Sequence, residues 1–221
     1  MISFQDVSFR YPRSKWLFKQ LNLEIKQNLI TFIAGPNGGG KTTLGKLMAG
    51  ILKPEVGTVL VNGLNTKDVE LAEIGAKVGY LFQEPERQIF AATVRDEIGF
   101  VLELHEIKQA EITAKVDAVL KQFQLEHLAN LSPLKLSRGE KQRLAIAAIM
   151  VNQPRFFILD EPTTGLDQER KEILSSVIER LQDEGIGMVI ISHDQYFMQR
   201  HAQQIITVVG GEIVDVANCS T

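Results

Sequence analysis

Apolar residues recur along this chain with two spacings. Residues 2–9, 21–25 and 29–34 are short runs rich in β-branched and aromatic side chains, which predicts strands. Turn-forming Pro12-Arg13-Ser14 and polar Lys26-Gln27-Asn28 separate them. A glycine cluster at 35–40 follows, then a helical pattern over 41–50. Residues 58–61 and 78–82 predict two more strands, with a turn at Asn62-Gly63 after the first. Near Glu84 the texture changes. Ile112, Val116, Val119, Leu120 and Phe123 repeat at helical spacing, so 94–125 reads as helix. This helical insertion runs to about Asn152, with a break at Ser132-Pro133. Strand and helix then alternate: a strand over 156–159, a helix over 168–183 and a strand over 188–191. Two last short strands, 204–208 and 212–216, turn at Gly210-Gly211. The alternation predicts an α/β fold with a mostly parallel sheet covered on both faces.

Composition narrows the partners. Apolar residues make up 44% and charged residues 23% of 221, as in soluble globular proteins. A formal net charge of −3 supplies no basic field, so no nucleic-acid partner is expected. The single cysteine, Cys219, makes no internal disulfide and fits a reducing compartment. The first residues carry no signal-peptide pattern, and no apolar run approaches the ~20 residues of a membrane-spanning helix. Any membrane link is therefore expected to go through a partner.

The glycine cluster carries chemistry. Gly35-Pro36-Asn37-Gly38-Gly39-Gly40-Lys41-Thr42 matches the P-loop pattern, between a predicted buried strand and a predicted helix. Glycines let the backbone wrap closely and turn its N–H groups toward phosphate oxygens. The helix start adds free N–H groups and a favourable dipole. Gly35, Asn37, Gly38, Gly39, Gly40, Lys41, Thr42 and Thr43 are the candidate phosphate-binding residues. Lys41 is suited to neutralise β- and γ-phosphate charge, and the Thr42 hydroxyl to ligate Mg²⁺. Farther on, the apolar strand 156–159 ends in Asp160-Glu161. Asp160 can reach Mg²⁺ through water, and Glu161 can accept the proton of an attacking water or orient it. Gln83 and His193 end two other predicted strands. Parallel α/β sheets bind ligands at the C-terminal edges of their strands, so Gln83, Asp160, Glu161 and His193 are expected to converge on one γ-phosphate.

In this order the motifs resemble those of ABC ATPases, the nucleotide-binding subunits of ABC transporters. The resemblance spans Tyr11 to His193. Leu136-Ser137-Arg138-Gly139-Glu140 is similar to the family signature, usually Leu-Ser-Gly-Gly-Gln, and Pro162-Thr163-Thr164-Gly165-Leu166-Asp167 to its D-loop region. The resemblance implies a RecA-like P-loop NTPase core with an N-terminal antiparallel β subdomain and an inserted helical subdomain. On that reading residues 1–221 form one cassette, with a nucleotide core at 1–83 and 153–221 and the helical unit at 84–152. It also implies that Tyr11 stacks on adenine, against the alternative of a half-buried strand tyrosine. Thr42, Gln83 and Asp160 become the Mg²⁺ set, and Glu161, His193 and Gln83 the catalytic one. Ser137, Arg138, Gly139 and Glu140 would act on the ATP of a partner subunit, with Asp167 in the D-loop. Three positions depart from the pattern. Arg138 stands for a glycine and either contacts phosphate or crowds it, Glu140 stands for glutamine, and Gly39 for a serine. The dimer is a homodimer or a heterodimer.

Residues 83–94, just after the Q-loop glutamine, resemble the ATPases of energy-coupling-factor importers for vitamins, cobalt and nickel. There Arg87, Gln88, Ile89 and Phe90 would form the groove for an integral membrane scaffold, which works with a substrate-capture membrane protein. The alternative is that Ile89 and Phe90 pack under the helical unit. The expected location is the cytoplasmic face of a membrane, held peripherally. Without the C-terminal extension of many such ATPases, dimerisation is expected to lean on nucleotide or on the membrane partner.

Overall fold

The computed structural model describes residues 1–104 and 107–219. Its first sheet is antiparallel, in the order β2 (Phe18–Ile25), β1 (Ile2–Phe9), β4 (Val56–Val61), β5 (Leu64–Asn65). The second has six strands, ordered β10 (Glu212–Asn218), β9 (Gln204–Val209), β3 (Ile30–Ala34), β8 (Gly187–Ile191), β7 (Phe156–Asp160), β6 (Val78–Leu81). All of its pairings are parallel except that of β10 with β9.

Period-2 alternation explains why the central strands are apolar throughout. Phe157 and Leu159 of β7 and Met188 and Ile190 of β8 face one core with the helices, while Phe156, Ile158, Val189 and Ile191 face a second core. That second core also holds the first sheet and α1 (Lys41–Met48). Each such side chain, once buried, stabilises the fold by about 1.5–3 kcal/mol. On the first face lie α3 (Val94–Glu103), α4 (Gln109–Gln122) and α5 (Arg138–Met150), then α6 (Gln168–Asp183). Ile112, Val116, Val119 and Leu120 of α4 are buried, so the helical spacing marks its inner face. The expected helix across His105 and Glu106 falls outside the described residues; on either side α3 and α4 are separate helices.

Local chemistry accounts for the boundaries. The Thr93 hydroxyl accepts from Asp96 N and caps α3, and Asp167 does the same for α6 through Arg170 N. β2 begins at Phe18, three residues before the predicted 21, because buried Phe18 pairs with Phe9. β5, α2 (Leu71–Gly75) and α7 (Gln195–His201) were not anticipated; they are too short to show a period. The sheet thus brings the C-terminal ends of β3, β6, β7 and β8 to one edge, which carries the P-loop, Gln83, Asp160-Glu161 and His193.

Candidate active site

The P-loop links β3 to α1 through backbone that glycine allows. Gly38 and Gly40 sit at φ of 76° and 106°, and Gly40 leads into α1 with no side-chain cap. The first N–H groups of α1 therefore remain available to an anion. Lys41 is buried, and its Nζ donates to the carbonyls of Gly35 and Pro36, both at 2.9 Å. The ammonium is draped around the inside of its own loop. Gly39 faces the back: Gly211 N donates to its carbonyl at 3.0 Å, and a Cβ there would lie 2.9 Å from Val208 O. The departure from serine at 39 thus matches a tight packing of the loop against β9.

A cleft of about 730 Å³ opens beside this loop, lined by Asn37, Gly38, Gly40, Lys41, Thr42 and Thr43. Gln83 and Glu161 line it from the neighbouring strand ends. Tyr11 stands at its rim, 41% exposed, with its hydroxyl 3.0 Å from Thr43 Oγ1 and its ring edge-on to Phe9. The tyrosine is therefore no core residue. Trp16, which the sequence reading did not single out, joins the same rim, with the Arg10 guanidinium 4.4 Å from its ring centroid.

Asp160 ends β7 only 2% exposed. Its two oxygens accept from Thr42 Oγ1 at 3.1 Å and from the Tyr80 hydroxyl at 3.0 Å. Burial pushes its pKa above the ordinary carboxylate value, and those two hydrogen bonds oppose the rise. Burial, then the neighbouring Asp160, pushes the Tyr80 hydroxyl up as well. Tyr80 was missed because a tyrosine in an apolar strand looks like ordinary core. Glu161 turns the chain at φ 52°, with its N–H donating to Ile191 O at 2.8 Å. Its carboxylate is 11% exposed, with Oε2 2.8 Å from His193 Nδ1 and 3.3 Å from Thr164 Oγ1. His193, at 69% exposure, reaches outward over it. The hydroxyl of Thr42 and the carboxylate of Asp160 are hard oxygen donors held together, a donor set that fits Mg²⁺ beside a bound phosphate.

Ser137–Glu140 do not line this cleft. They start α5 as a capping box: Ser137 N donates to Glu140 Oε2 at 2.7 Å, and Glu140 N to Ser137 Oγ at 3.4 Å. Glutamate at 140 thus closes the capping box, and the hydrogen bond from Ser137 holds its pKa below the ordinary value. Gly139 is buried where a Cβ would lie 2.8 Å from Arg170 Cδ. Asp167 accepts from Arg170 N and Nη1, each at 2.9 Å.

The segment after Gln83 divides. Arg87 is exposed and ion-paired with Glu84. Gln88 turns inward and its Oε1 accepts from Phe82 N at 3.0 Å. Ile89 packs partly buried against the helical core. Phe90 is 65% exposed, edge-on to Phe100 with centroids 4.7 Å apart. Buried Glu97, another residue the sequence did not flag, accepts from Phe90 N and Ala91 N at 2.9 and 2.7 Å.

The sequence profile of the ABC transporter family matches residues 18–164. The chain belongs to that family. The cassette is 39% identical over 213 residues to a Pyrococcus abyssi protein whose name places it among ABC transporter ATP-binding proteins, covering 96% of this chain and 82% of that one. It is 36% identical over 217 residues to the energy-coupling factor transporter ATP-binding protein EcfA of Methanothermobacter thermautotrophicus, covering 97% and 70%. Among solved structures it resembles cbiO1 of Clostridium perfringens, part of the ABC transporter complex cbiONQ, with TM-score 0.89, 30% identity and coverage of 98% and 88%. It also resembles the dimeric cassette MJ0796 in a post-hydrolysis state with ADP and Pi, with TM-score 0.88, 26% identity and full coverage of both chains. The cassette is an ATP-binding ATPase subunit of the transporter type, with the ABC ATPase fold.

Proposed function

We propose that this ABC ATPase powers an energy-coupling-factor importer, hydrolysing ATP between two cassettes to move a membrane scaffold. The observation that carries the catalytic part is the Glu161 carboxylate, held by His193 and Thr164 at the cleft that Lys41 and Thr42 line. In this reading Tyr11 stacks on adenine, and the backbone from Gly35 to Thr43 takes the phosphates. Lys41 exchanges the carbonyls of Gly35 and Pro36 for phosphate oxygens. Thr42, Asp160 and Gln83 would hold Mg²⁺, which would neutralise phosphate charge when bound. A water oxygen bonds to the γ-phosphorus as its bond to the bridging oxygen breaks, giving ADP and phosphate. Glu161 orients that water and takes its proton, and His193 holds the carboxylate in place.

Ser137, Gly139 and Glu140 begin the helix whose N-terminus suits the phosphates of the second cassette, with Asp167 beside it. Each site then needs both chains, so nucleotide joins the dimer and hydrolysis releases it. Residues 84–152 form the helical unit that carries this signature, and 1–83 with 153–221 the nucleotide core. The importer branch is supported by the likeness to EcfA and cbiO1 and by exposed Phe90 beside Arg87. Those side chains, with Ile89 and Gln88 behind them, suit an amphipathic helix of the scaffold. Among the described residues no helix is long and apolar enough to cross a membrane. In this reading, which rests on the likeness to EcfA and cbiO1, the cassette is held peripherally by that partner at the cytoplasmic face.

The test is a gentle detergent pull-down of the protein from its native membranes. An integral scaffold and a small substrate-capture membrane protein are expected to co-purify. Only ribosomal or DNA-bound partners would overturn the transport reading and leave the ATPase. Phe90→Asp tests the groove: co-purification of the scaffold falls, while the melting temperature holds because Phe90 is a surface residue.

A further inference from the structure

Arg138 is the first residue of α5 and stands where the family signature has glycine. Its exposed side chain folds back over its own chain. A Cβ built on Gly165 would lie 2.3 Å from Arg138 Nη1 and 2.7 Å from its Cζ. Gly165 itself has φ 74°, so the backbone turns here in a conformation that favours glycine, and the missing side chain leaves the seat. Arg138 lines one crevice with Glu161, Pro162, Thr164 and Gln83. The guanidinium therefore rests on the loop that runs from Glu161 to Asp167.

One buried hydrogen bond ties the same pair of elements together, and a second contact joins the start of α5 to α6. Gln142 Nε2, one turn farther along α5, donates to Pro162 O. Gly139 packs directly against the Arg170 side chain. Arg138 adds the contact nearest the centre of the loop. To reach the phosphates of another copy it would have to leave this seat.

We infer that Arg138 is a positioning residue acting in cis: it clamps the loop of residues 161–167 to the start of α5, and so sets Glu161 for turnover in its own chain. The inference rests on the proposed part of Glu161 in handling the attacking water. The planar guanidinium packed against a glycine suits this seat, and the rounder ammonium of lysine does not.

The experiment is a double-mutant cycle on the full chain, with Arg138→Gly, Gly165→Ala and the two combined, plus Arg138→Lys. Steady-state turnover and ATP dependence are measured for each. Arg138→Gly should lower kcat about ten-fold with KM for ATP within about two-fold, and Arg138→Lys should not restore kcat. Gly165→Ala is strained by its own backbone, so its effect is compared in both backgrounds. It should lower kcat in the unmodified chain and much less in the Arg138→Gly background. Losses that multiply, or a raised KM with kcat kept, would overturn the clamp in favour of an Arg138 that binds nucleotide in trans. If Gly165→Ala does not fold, the KM–kcat split of the two Arg138 variants decides. Absent turnover in the unmodified chain, or turnover that survives Glu161→Gln, counts against Glu161 instead. The melting temperatures of the same nucleotide-free proteins then decide the clamp: non-additive shifts support it, and additive shifts sink it.

Discussion

Glu161 shows how a single residue is aimed. A glutamate at φ 52° occupies the left-handed region, at a cost of about 1–3 kcal/mol, and the turn throws its carboxylate under His193. The strand Phe156–Asp160 can end there because Glu161 N is taken by Ile191 O. Glu161→Gln keeps the shape and removes the base. We expect phosphate release to fall at least about 100-fold, with nucleotide binding retained by equilibrium dialysis. Turnover that persists would remove Glu161 from the chemistry. Tyr80 works on the other carboxylate. Because burial raises the pKa of Asp160, ionising it costs stability as pH rises through its folded value, and the Tyr80 hydroxyl offsets part of that cost. Tyr80→Phe should therefore destabilise by about 1–3 kcal/mol in urea titrations, more at neutral pH than in acid. An equal loss at both would assign Tyr80 to packing alone.

At the scale of elements, α6 and α7 are joined by a buried hydrogen bond of 2.8 Å between Ser175 Oγ and His201 Nε2. Burial holds the His201 pKa below its ordinary 6.5, against an opposing pull from Glu179. A folded pKa lowered below the unfolded one means the contribution is fully present above pH 6.5 and is lost as pH falls toward the folded value. Melting temperature should thus drop on acidification below that point, and His201→Gln should flatten that part of the profile. An unchanged profile would show that carboxylates alone set the acid limit. Long elements such as α4 and α6 were legible because several turns of apolar spacing add up to a signal. Asp167 and Thr93 could be read as caps only once the helices were in place, since a lone Asp or Thr before a helix former is common.

For the whole molecule, the proposed cycle is one of association. Mg²⁺ and ATP should stabilise the Glu161→Gln protein by about 2.7 kcal/mol at one hundred times its dissociation constant, and shift it to a dimer in sedimentation. Lys41→Ala should show neither effect, because it removes the cation that lines the phosphate loop. A dimer that forms equally without nucleotide would end the view of ATP as the joining element. The clamp proposed for Arg138 belongs to this scale as well, because it ties α5 to the loop of residues 161–167.

The phosphate loop, the Asp160-Glu161 pair and the alternation of strand and helix were readable from the chain, because each is a local matter of backbone freedom, spacing and side-chain type. That order of motifs was enough to place the chain in its family. Pairings between distant residues were not readable. Tyr80 with Asp160, Glu97 with the Phe90–Ala91 backbone and Arg138 over Gly165 each join residues 6 to 80 positions apart. Sequence spacing says nothing about such contacts, because sheet order and helix packing alone decide which distant side chains meet.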